Sequence, residues 1–396
     1  MADFLPFLIF LMILAVFLQA GPALTVFYMI IGTFLLGLWW QKRALSHLKV
    51  SRHFIDHAYL GETIQIQLII ENTSLLPILW LEIHESLPVN LRAGRDIKEV
   101  FSLGLRGKKT IRYEINAFKR GYYPIGPLVI ESGDPLGLTK PSHITIPETP
   151  LTIYPRIVDL AALGLPSRSP FGTIRNENPV YEDPTRLMGK RGFQNGDSVR
   201  KIDWKSSASS GELLVKLYEA SIAIELAVLL DLDKASYDID SFFDATELAV
   251  TAAASLAAWS KRHQQSVGLF TNGLDPLAVN TRAHALPPRK GAGHLISLLE
   301  LLARIQPGTS SPVGSWLEDV QGRLSWGTTL LFISGKLSPE TFNQLFQARK
   351  AGLNPVILMT GRPQDLQTDR TFAAGYHIPL YTASSPFEVQ ALGKPQ

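Results

Sequence analysis

The stretch IAIELAVLLDLDKASYDIDSFFDATELAVTAAASLAAWSKRHQQSVGLFTN, residues 222–272, decides the fold class. Its first twelve residues are an almost continuous apolar run bounded by polar residues, the pattern of a strand buried on both faces. Residues 241–263 are alanine-rich and predict a long helix; residues 266–272 predict a second buried strand. The alternation continues downstream. Residues 291–305 predict a helix, 328–335 a strand, 338–352 a helix that opens on Ser338-Pro339 and stops at Gly352, and 354–361 a strand. Apolar strands alternating with helices mean a parallel sheet covered on both faces, a doubly wound α/β domain.

Upstream the period changes from helical to two. TIQIQLIIEN (63–72), ILWLEIHE (78–85) and KKTIRYEINA (108–117) alternate, separated by turn signals and with no helical stretch between them. That spacing predicts an all-β sandwich of immunoglobulin-like size. Residues 156–184 lack sustained periodicity and read as an extended connector.

The N-terminus is apolar from 4 to 20, broken by Gly21-Pro22, and apolar again from 23 to 40. Each run is close to the minimum of about 17 residues that spans a hydrocarbon core, so the pair predicts a transmembrane hairpin. Trp39 and Trp40 are expected at the interface. The basic residues that follow, Lys42, Arg43, His47, Lys49 and Arg52, place the soluble domains and both termini in the cytoplasm, with the chain multi-pass in the inner membrane. A cleaved signal peptide fits poorly, because Asp3 replaces a basic n-region and the apolar stretch is about twice too long. The predicted order is a hairpin over 1–42, a β-sandwich over 43–155, a connector with a charged motif over 156–211 and an α/β domain over 212–396.

A net charge of +3 over 396 residues, with no long single-sign run, does not resemble a nucleic-acid-binding surface. Cysteine is absent, which excludes disulfides, thiolate chemistry and Cys-bound metal. No Gly-x-Gly-x-x-Gly after a strand, Walker A element, Gly-x-Ser-x-Gly elbow or His-Glu-x-x-His pair occurs. GRPQDLQTD (361–369) reads as a polar loop.

Ligands of doubly wound sheets bind at the carboxyl ends of strands. That rule selects DLDKAS (231–236), SGK (334–336) and TGR (360–362), where Asp231 and Asp233 are the closely spaced carboxylates. They could hold Mg²⁺, although a hard cation needs about six oxygens, so capping of nearby amides is the expected role and no cofactor is expected. The arrangement looks like the von Willebrand factor A fold, with departures. Asp233 and Ala235 stand where that fold's metal loop carries serines, and Lys336 occupies a position the fold usually gives to Asp.

The segment GFQNGDSVRKIDWKSSASSGELLVKLYE (192–219) concentrates acids, bases and a tryptophan. Asp197 is expected to cap a short helix over 198–207, with Val199, Ile202 and Ser206 inward, Arg200 and Asp203 paired, and Trp204 anchoring it. Residues 212–219 then form a strand leading towards the α/β sheet. The order Gly196, Asp197, Arg200, Ile202, Asp203, Trp204, Lys205, Ser207, Ala208 resembles the signature of the bacterial domain-of-unknown-function family fifty-eight, as does RGYYPIGPLVIESGDPLGL (120–138); the resemblance runs over essentially the whole chain. It implies a membrane-anchored protein with a von Willebrand factor A-like domain, partnered with a MoxR-type AAA+ ATPase in assembling envelope or metal-containing complexes. It attaches no reaction. A non-catalytic scaffold is therefore expected, with Gly196, Asp197, Arg200, Asp203, Trp204 and Lys205 as partner contacts. The rivals are a hydrolase using Asp197 and Asp203, and a Mg²⁺-dependent adhesion module.

Overall fold

A computed structural model describes residues 9–10, 12–13, 21–91, 97–133, 141–160, 187–194, 197–218, 225–278, 284–308, 313–362 and 365–390. The chain divides into two compact units, Met1–Pro155 and Arg156–Gln396.

The first unit contains α1 (Gly21–Ser46), a single 26-residue helix. It carries a span, Leu24–Arg43, long and apolar enough to cross a membrane, of which only 11% is buried in the protein. Pro22 lies in its first turn, where a missing N–H leaves no intrahelical bond unmade. The other arm of the expected hairpin, residues 4–20, lies outside the described residues except for 9–10 and 12–13, which are helical. The far end of α1 is tied to β-structure. Trp40 donates from Nε1 to the Pro77 carbonyl (3.1 Å), and buried Gln41 donates to the Ser132 carbonyl and Ser142 Oγ, both at 3.0 Å. Trp40 thus packs against the β-structure, while Trp39 stays 55% exposed.

Among the described residues ten strands follow: β1 (Leu48–His53), β2 (His57–Tyr59), β3 (Thr63–Asn72), β4 (Ile78–Glu85), β5 (Ile97–Leu103), β6 (Lys108–Asn116), β7 (Gly121–Ile125), β8 (Leu128–Ser132), β9 (Ser142–Ile146) and β10 (Thr149–Tyr154). They form sheets ordered β1-β3-β6, β5-β4-β8-β9 and β2-β10-β7. Period two decides the packing: Ile64 and Ile66 of β3 enter one core with Ile125 and Leu151, and Leu68 and Ile70 enter a second with Leu81, Ile83 and Ile130. Arg52 departs from expectation. It does not join Lys42, Arg43 and Lys49 on the surface; its side chain is 4% exposed and meets the fully buried Glu85 at 2.5 Å. β1 alternates, and Arg52 falls on the inward phase.

The second unit comprises β11 (Leu187–Gly192), α2 (Trp204–Ser210), β12 (Leu214–Tyr218), β13 (Glu225–Leu230), α3 (Phe242–Arg262), β14 (Ser266–Thr271), β15 (His284–Arg289), α4 (Ala292–Arg304), α5 (Val313–Gln321), β16 (Thr329–Ser334), α6 (Pro339–Lys350), β17 (Asn354–Thr360), α7 (Leu366–Gly375), β18 (Leu380–Ala383) and α8 (Pro386–Gln390). The six-stranded sheet runs β15-β14-β13-β16-β17-β18; all pairings are parallel except β14 with β15. One face carries Leu229, Phe332 and Ile357 against Trp316 of α5 and Phe342 and Leu345 of α6. The other is crossed by α3, with α4 beside it. Helix ends follow the expected chemistry. Ser338 Oγ accepts from the Thr341 amide (3.1 Å) ahead of Pro339, and α3 places Asp244 in its first turn and Lys261 and Arg262 in its last, each complementing the helix dipole.

Sequence reading missed β11, β15, α5, α7, β18 and α8. Pro287 and Pro288 argue against a strand, yet β15 is the sheet's edge, where a missing N–H is tolerated. The expected polar loop 361–369 is corrected: from Leu366 it is the first turn of α7. The middle of the expected connector, 161–186, lies outside the described residues. Its start is packed, since the Val158 amide donates to Ser255 Oγ of α3 (2.9 Å) and Asp159 pairs with Arg262 (2.6 Å).

Candidate functional site

Two places bring together the residues singled out by sequence. The first lies where the chain switches direction across the sheet. After β13 it builds β14 and β15 on one side, then crosses to β16, β17 and β18 on the other, so the crevice for a ligand falls between the carboxyl ends of β13 and β16. Asp231 and Ser334 occupy those ends. Asp231 is 1% exposed, and its Oδ1 accepts from the Asp233 amide (3.0 Å) and Asn272 Nδ2 (2.7 Å), while Ser334 Oγ lies 2.9 Å from Oδ2. The buried Tyr237 hydroxyl donates to the Asp231 carbonyl (2.6 Å). Gly335 must be glycine for this closure, because a Cβ there would stand 2.5 Å from the Tyr237 ring and 2.7 Å from the Ser236 carbonyl.

Burial pushes the Asp231 carboxyl up, against the opposing pull of hydrogen bonds from Ser236, Asn272, the Asp233 amide and Ser334. The Ser334 hydroxyl lies between two acceptors, Asp231 Oδ2 and the Lys336 carbonyl at 3.0 Å. Asp233 accepts from the Ala235 amide (2.9 Å), the capping role expected of it. Lys336 pairs with Asp238. No cluster of three or more His, Asp or Glu side chains spaced to hold a metal ion occurs among the described residues. Sequence reading missed Asn272 and Asp238; Asn272 follows β14 directly, so the strand-end rule that selected Asp231 would also have found it.

The second place is the charged segment. β11 and β12 pair antiparallel from Gly192↔Leu214 to Leu187↔Tyr218, and the intervening chain folds over this ladder. Asp197 does not cap forward. It reaches back, accepting two bonds from the Arg191 guanidinium (2.7 Å each) and one from the Gln194 amide (2.9 Å). Residues Val199–Lys201 form only a 3₁₀ turn. The helix starts later, with Asp203 as its N-cap accepting from the Ser206 amide (3.2 Å) and pairing with Lys190 Nζ (2.9 Å). Asp203 therefore pairs with a base upstream of the segment, where no local spacing rule looks for it. Gly196 and the side chain of Arg200 lie outside the described residues.

Burial divides the segment. Ile202 bridges to Val215, and Ser207 Oγ donates to the Asp203 carbonyl (2.8 Å) and accepts from the Leu214 amide (2.9 Å), both side chains being buried. Gly211, at φ 78°, closes the helix in the left-handed conformation that glycine adopts without strain. Trp204, expected as the anchor, is 62% exposed, as is Val199, and Lys205 is exposed beside it. The reason is phase. With the cap at Asp203, the inward position of the short helix is Ser207, and Trp204 falls on the outer face.

Both acids are held in the charged form. The Arg191 guanidinium, then the Gln194 amide, hold the Asp197 carboxyl below its usual range, and Lys190, then the Ser206 amide, hold Asp203 down at about 2. In an unfolded chain Asp titrates near about 3.9, so the stability due to Asp203 is complete above that pH and lost as pH falls towards about 2. Urea denaturation as a function of pH checks this: the gap between the wild type and Asp203→Asn should be constant above about pH 5 and close by about pH 2.

Residues 189–362 match the family model described as Protein of unknown function DUF58. The resemblance read from residues 196–208 is borne out over that span. The chain is similar to the uncharacterized protein YeaD of Bacillus subtilis (strain 168), 21% identical over 272 residues, 67% of this chain and 64% of that one. The chain thus spans less than two thirds of that relative's length. Among solved structures it is similar to an aerotolerance-related membrane protein from Bacteroides fragilis NCTC 9343, at 13% identity and TM-score 0.33, over 43% of this chain and 97% of the other. It is also similar to proximal thread matrix protein 1 from the mussel byssus, at 12% identity and TM-score 0.31, over 43% and 46% of the two chains.

Proposed function

We propose that this chain is a membrane-anchored, non-catalytic scaffold that presents the outer face of its charged segment to a protein partner, a MoxR-type AAA+ ATPase, in assembling envelope or metal-containing complexes. The carrying observation is the division of that segment. Its acids are paired with Arg191 and Lys190, whereas Trp204 and Lys205 turn outward with no packing role that would account for a large aromatic side chain there. A sheet ordered β15-β14-β13-β16-β17-β18 with one antiparallel edge strand supports a von Willebrand factor A-like reading of the second unit, and the cores between β-layers support an immunoglobulin-like sandwich in the first. Exposed Lys42 and Arg43 at the end of the apolar span support soluble units in the cytoplasm, and the second apolar run, residues 4–20, is what would make the chain a multi-pass protein of the inner membrane.

The rival readings have less support. A hydrolase using Asp197 and Asp203 would need one of them near neutrality, and both are held low by basic partners. A Mg²⁺-dependent adhesion module would need Asp231 open to a cation, and its oxygens are already engaged by Asn272, Ser334 and the Asp233 amide.

Affinity capture from detergent extracts of the native host, with recovered proteins identified by mass spectrometry, tests the reading. Wild type should recover the ATPase, and Trp204→Ala with Lys205→Glu should cut recovery about tenfold or more, as for a buried interface tryptophan. Failure to recover it with wild type, or equal recovery with the double variant, overturns the proposal.

A further inference from the structure

The switch-point crevice is filled by the protein's own groups, but the same sheet edge is open one strand further along. Between the ends of β16 and β17 and the helices α6 and α7 lies a cavity of about 390 Å³. Phe342 of α6, Met359 of β17 and Phe372 of α7 supply apolar lining, and the rings of Phe342 and Phe372 are stacked with centroids 5.8 Å apart. Asp365 and Asp369 line it as well. Asp365 precedes α7 with non-helical backbone and Asp369 lies in its first turn; the two charges are close enough to interact, an arrangement that repels unless a cation intervenes. Asp365 stands at the cap position without making a capping bond. The basic lining residue, Lys336, is engaged by Asp238 and does not neutralise the α7 pair.

We infer that this cavity receives a lysine or arginine side chain from an extended segment of a protein partner, its aliphatic stem against the exposed ring of Phe372 and against Leu337 and Pro339, over a floor of buried Phe342 and Met359, and its cationic head between Asp365 and Asp369. A long cationic side chain suits such a site because its stem buries on apolar surface while its head stays with charge. Burial and the neighbouring Asp365 push the Asp369 carboxyl up, the imbalance that an incoming cation would relieve. The inference rests on the reading of the chain as a partner-binding scaffold and adds a second contact, distinct from Trp204 and Lys205.

The test uses the full chain in detergent with methyl-labelled methionine. Met359 is one of five methionines, so its signal is assigned by its loss in Met359→Leu. The probes are the capped peptide Ala-Leu-Arg-Leu-Ala, the same peptide with norleucine for arginine, and n-butylguanidinium. The arginine peptide should shift the Met359 signal saturably. The norleucine peptide, which keeps the stem and needs no protein variant, should bind about tenfold more weakly or worse, as should the arginine peptide to Asp365→Asn/Asp369→Asn. No shift with the arginine peptide, or an equal shift with norleucine or with the variant, overturns the inference. Binding of n-butylguanidinium as tight as that of the peptide also overturns it, by making the occupant a free organic cation. In the capture experiment, the ATPase retained by Asp365→Asn/Asp369→Asn but lost by Trp204→Ala would refute this cavity's role while leaving the scaffold reading intact.

Discussion

Glu85→Ala is expected to destabilise the β-rich unit by about 3–5 kcal/mol, because it leaves the Arg52 charge buried without its partner. Arg52 and Glu85 have side chains 4% and 0% exposed, and their Nη2–Oε1 contact of 2.5 Å lies off the hydrogen-bond axis, so the pair is held chiefly by charge. The surroundings complete the site. Arg52 Nη1 donates to the Pro147 carbonyl (3.2 Å) and Thr149 Oγ1 (2.8 Å), and the Tyr113 hydroxyl donates to Glu85. Burial, then the Glu85 charge, pushes the Tyr113 phenol well up, so it stays a donor at any working pH. Hydrogen exchange of amides in Thr63–Asn72 and Lys108–Asn116 reads this unit separately, and the loss corresponds to a fall in protection of about a hundred- to several-thousand-fold. The variant Arg52→Met/Glu85→Leu/Tyr113→Phe should recover most of it, since apolar replacement of a buried pair is often neutral. Unchanged protection in Glu85→Ala would mean that water reaches the pair.

Asp231→Ala and Asp231→Asn are expected to differ sharply. Alanine orphans two donors at the sheet edge, Asn272 Nδ2 and the Asp233 amide, at about 1–3 kcal/mol each, a total of about 2–6 kcal/mol. Asparagine keeps an acceptor for both, and its amide can donate to Ser334 Oγ, which passes its hydrogen to the Lys336 carbonyl. The pH dependence has a defined sign. With the folded carboxyl raised by burial, wild type holds this contribution below about pH 3.9 and loses it as pH rises through the folded value, whereas Asp231→Asn is flat there. Urea midpoints at several pH values check both. Equal losses for the two variants would show that the shape of the carboxyl, and not its hydrogen bonds, closes the crevice.

Both effects sit where sequence reading was weakest. Arg52 reads as one more base in a membrane-proximal cluster, and its partner lies 33 positions away, at the end of β4. Asp231 reads as a carboxylate that caps nearby amides, with Mg²⁺ as the lesser alternative, because its strand-end position is visible, but Asn272 and Ser334, which engage it, arrive from β14 and β16. Trp204 shows the same limit at short range. Its neighbours announce a short helix, but the cap is Asp203 rather than Asp197, and the change of cap rotates the tryptophan from the inner face to the outer.

The sequence by itself determined the apolar helix, the period-two region, the alternating strands and helices, and the charged segment. Each of these is written in local periodicity, and periodicity decides which face of an element is buried whatever it is buried against. Only the tertiary structure decided which charges are consumed inside the protein and which remain available. Arg191 and Lys190 are matched to Asp197 and Asp203 across a ladder, Ser334 and Asn272 to Asp231 across a sheet, and Asp365 and Asp369 are brought beside Phe342 and Met359 by a helix that composition concealed. The physical reason is that an ion pair or buried hydrogen bond depends on distance in space, and strand order, which no local pattern encodes, sets that distance.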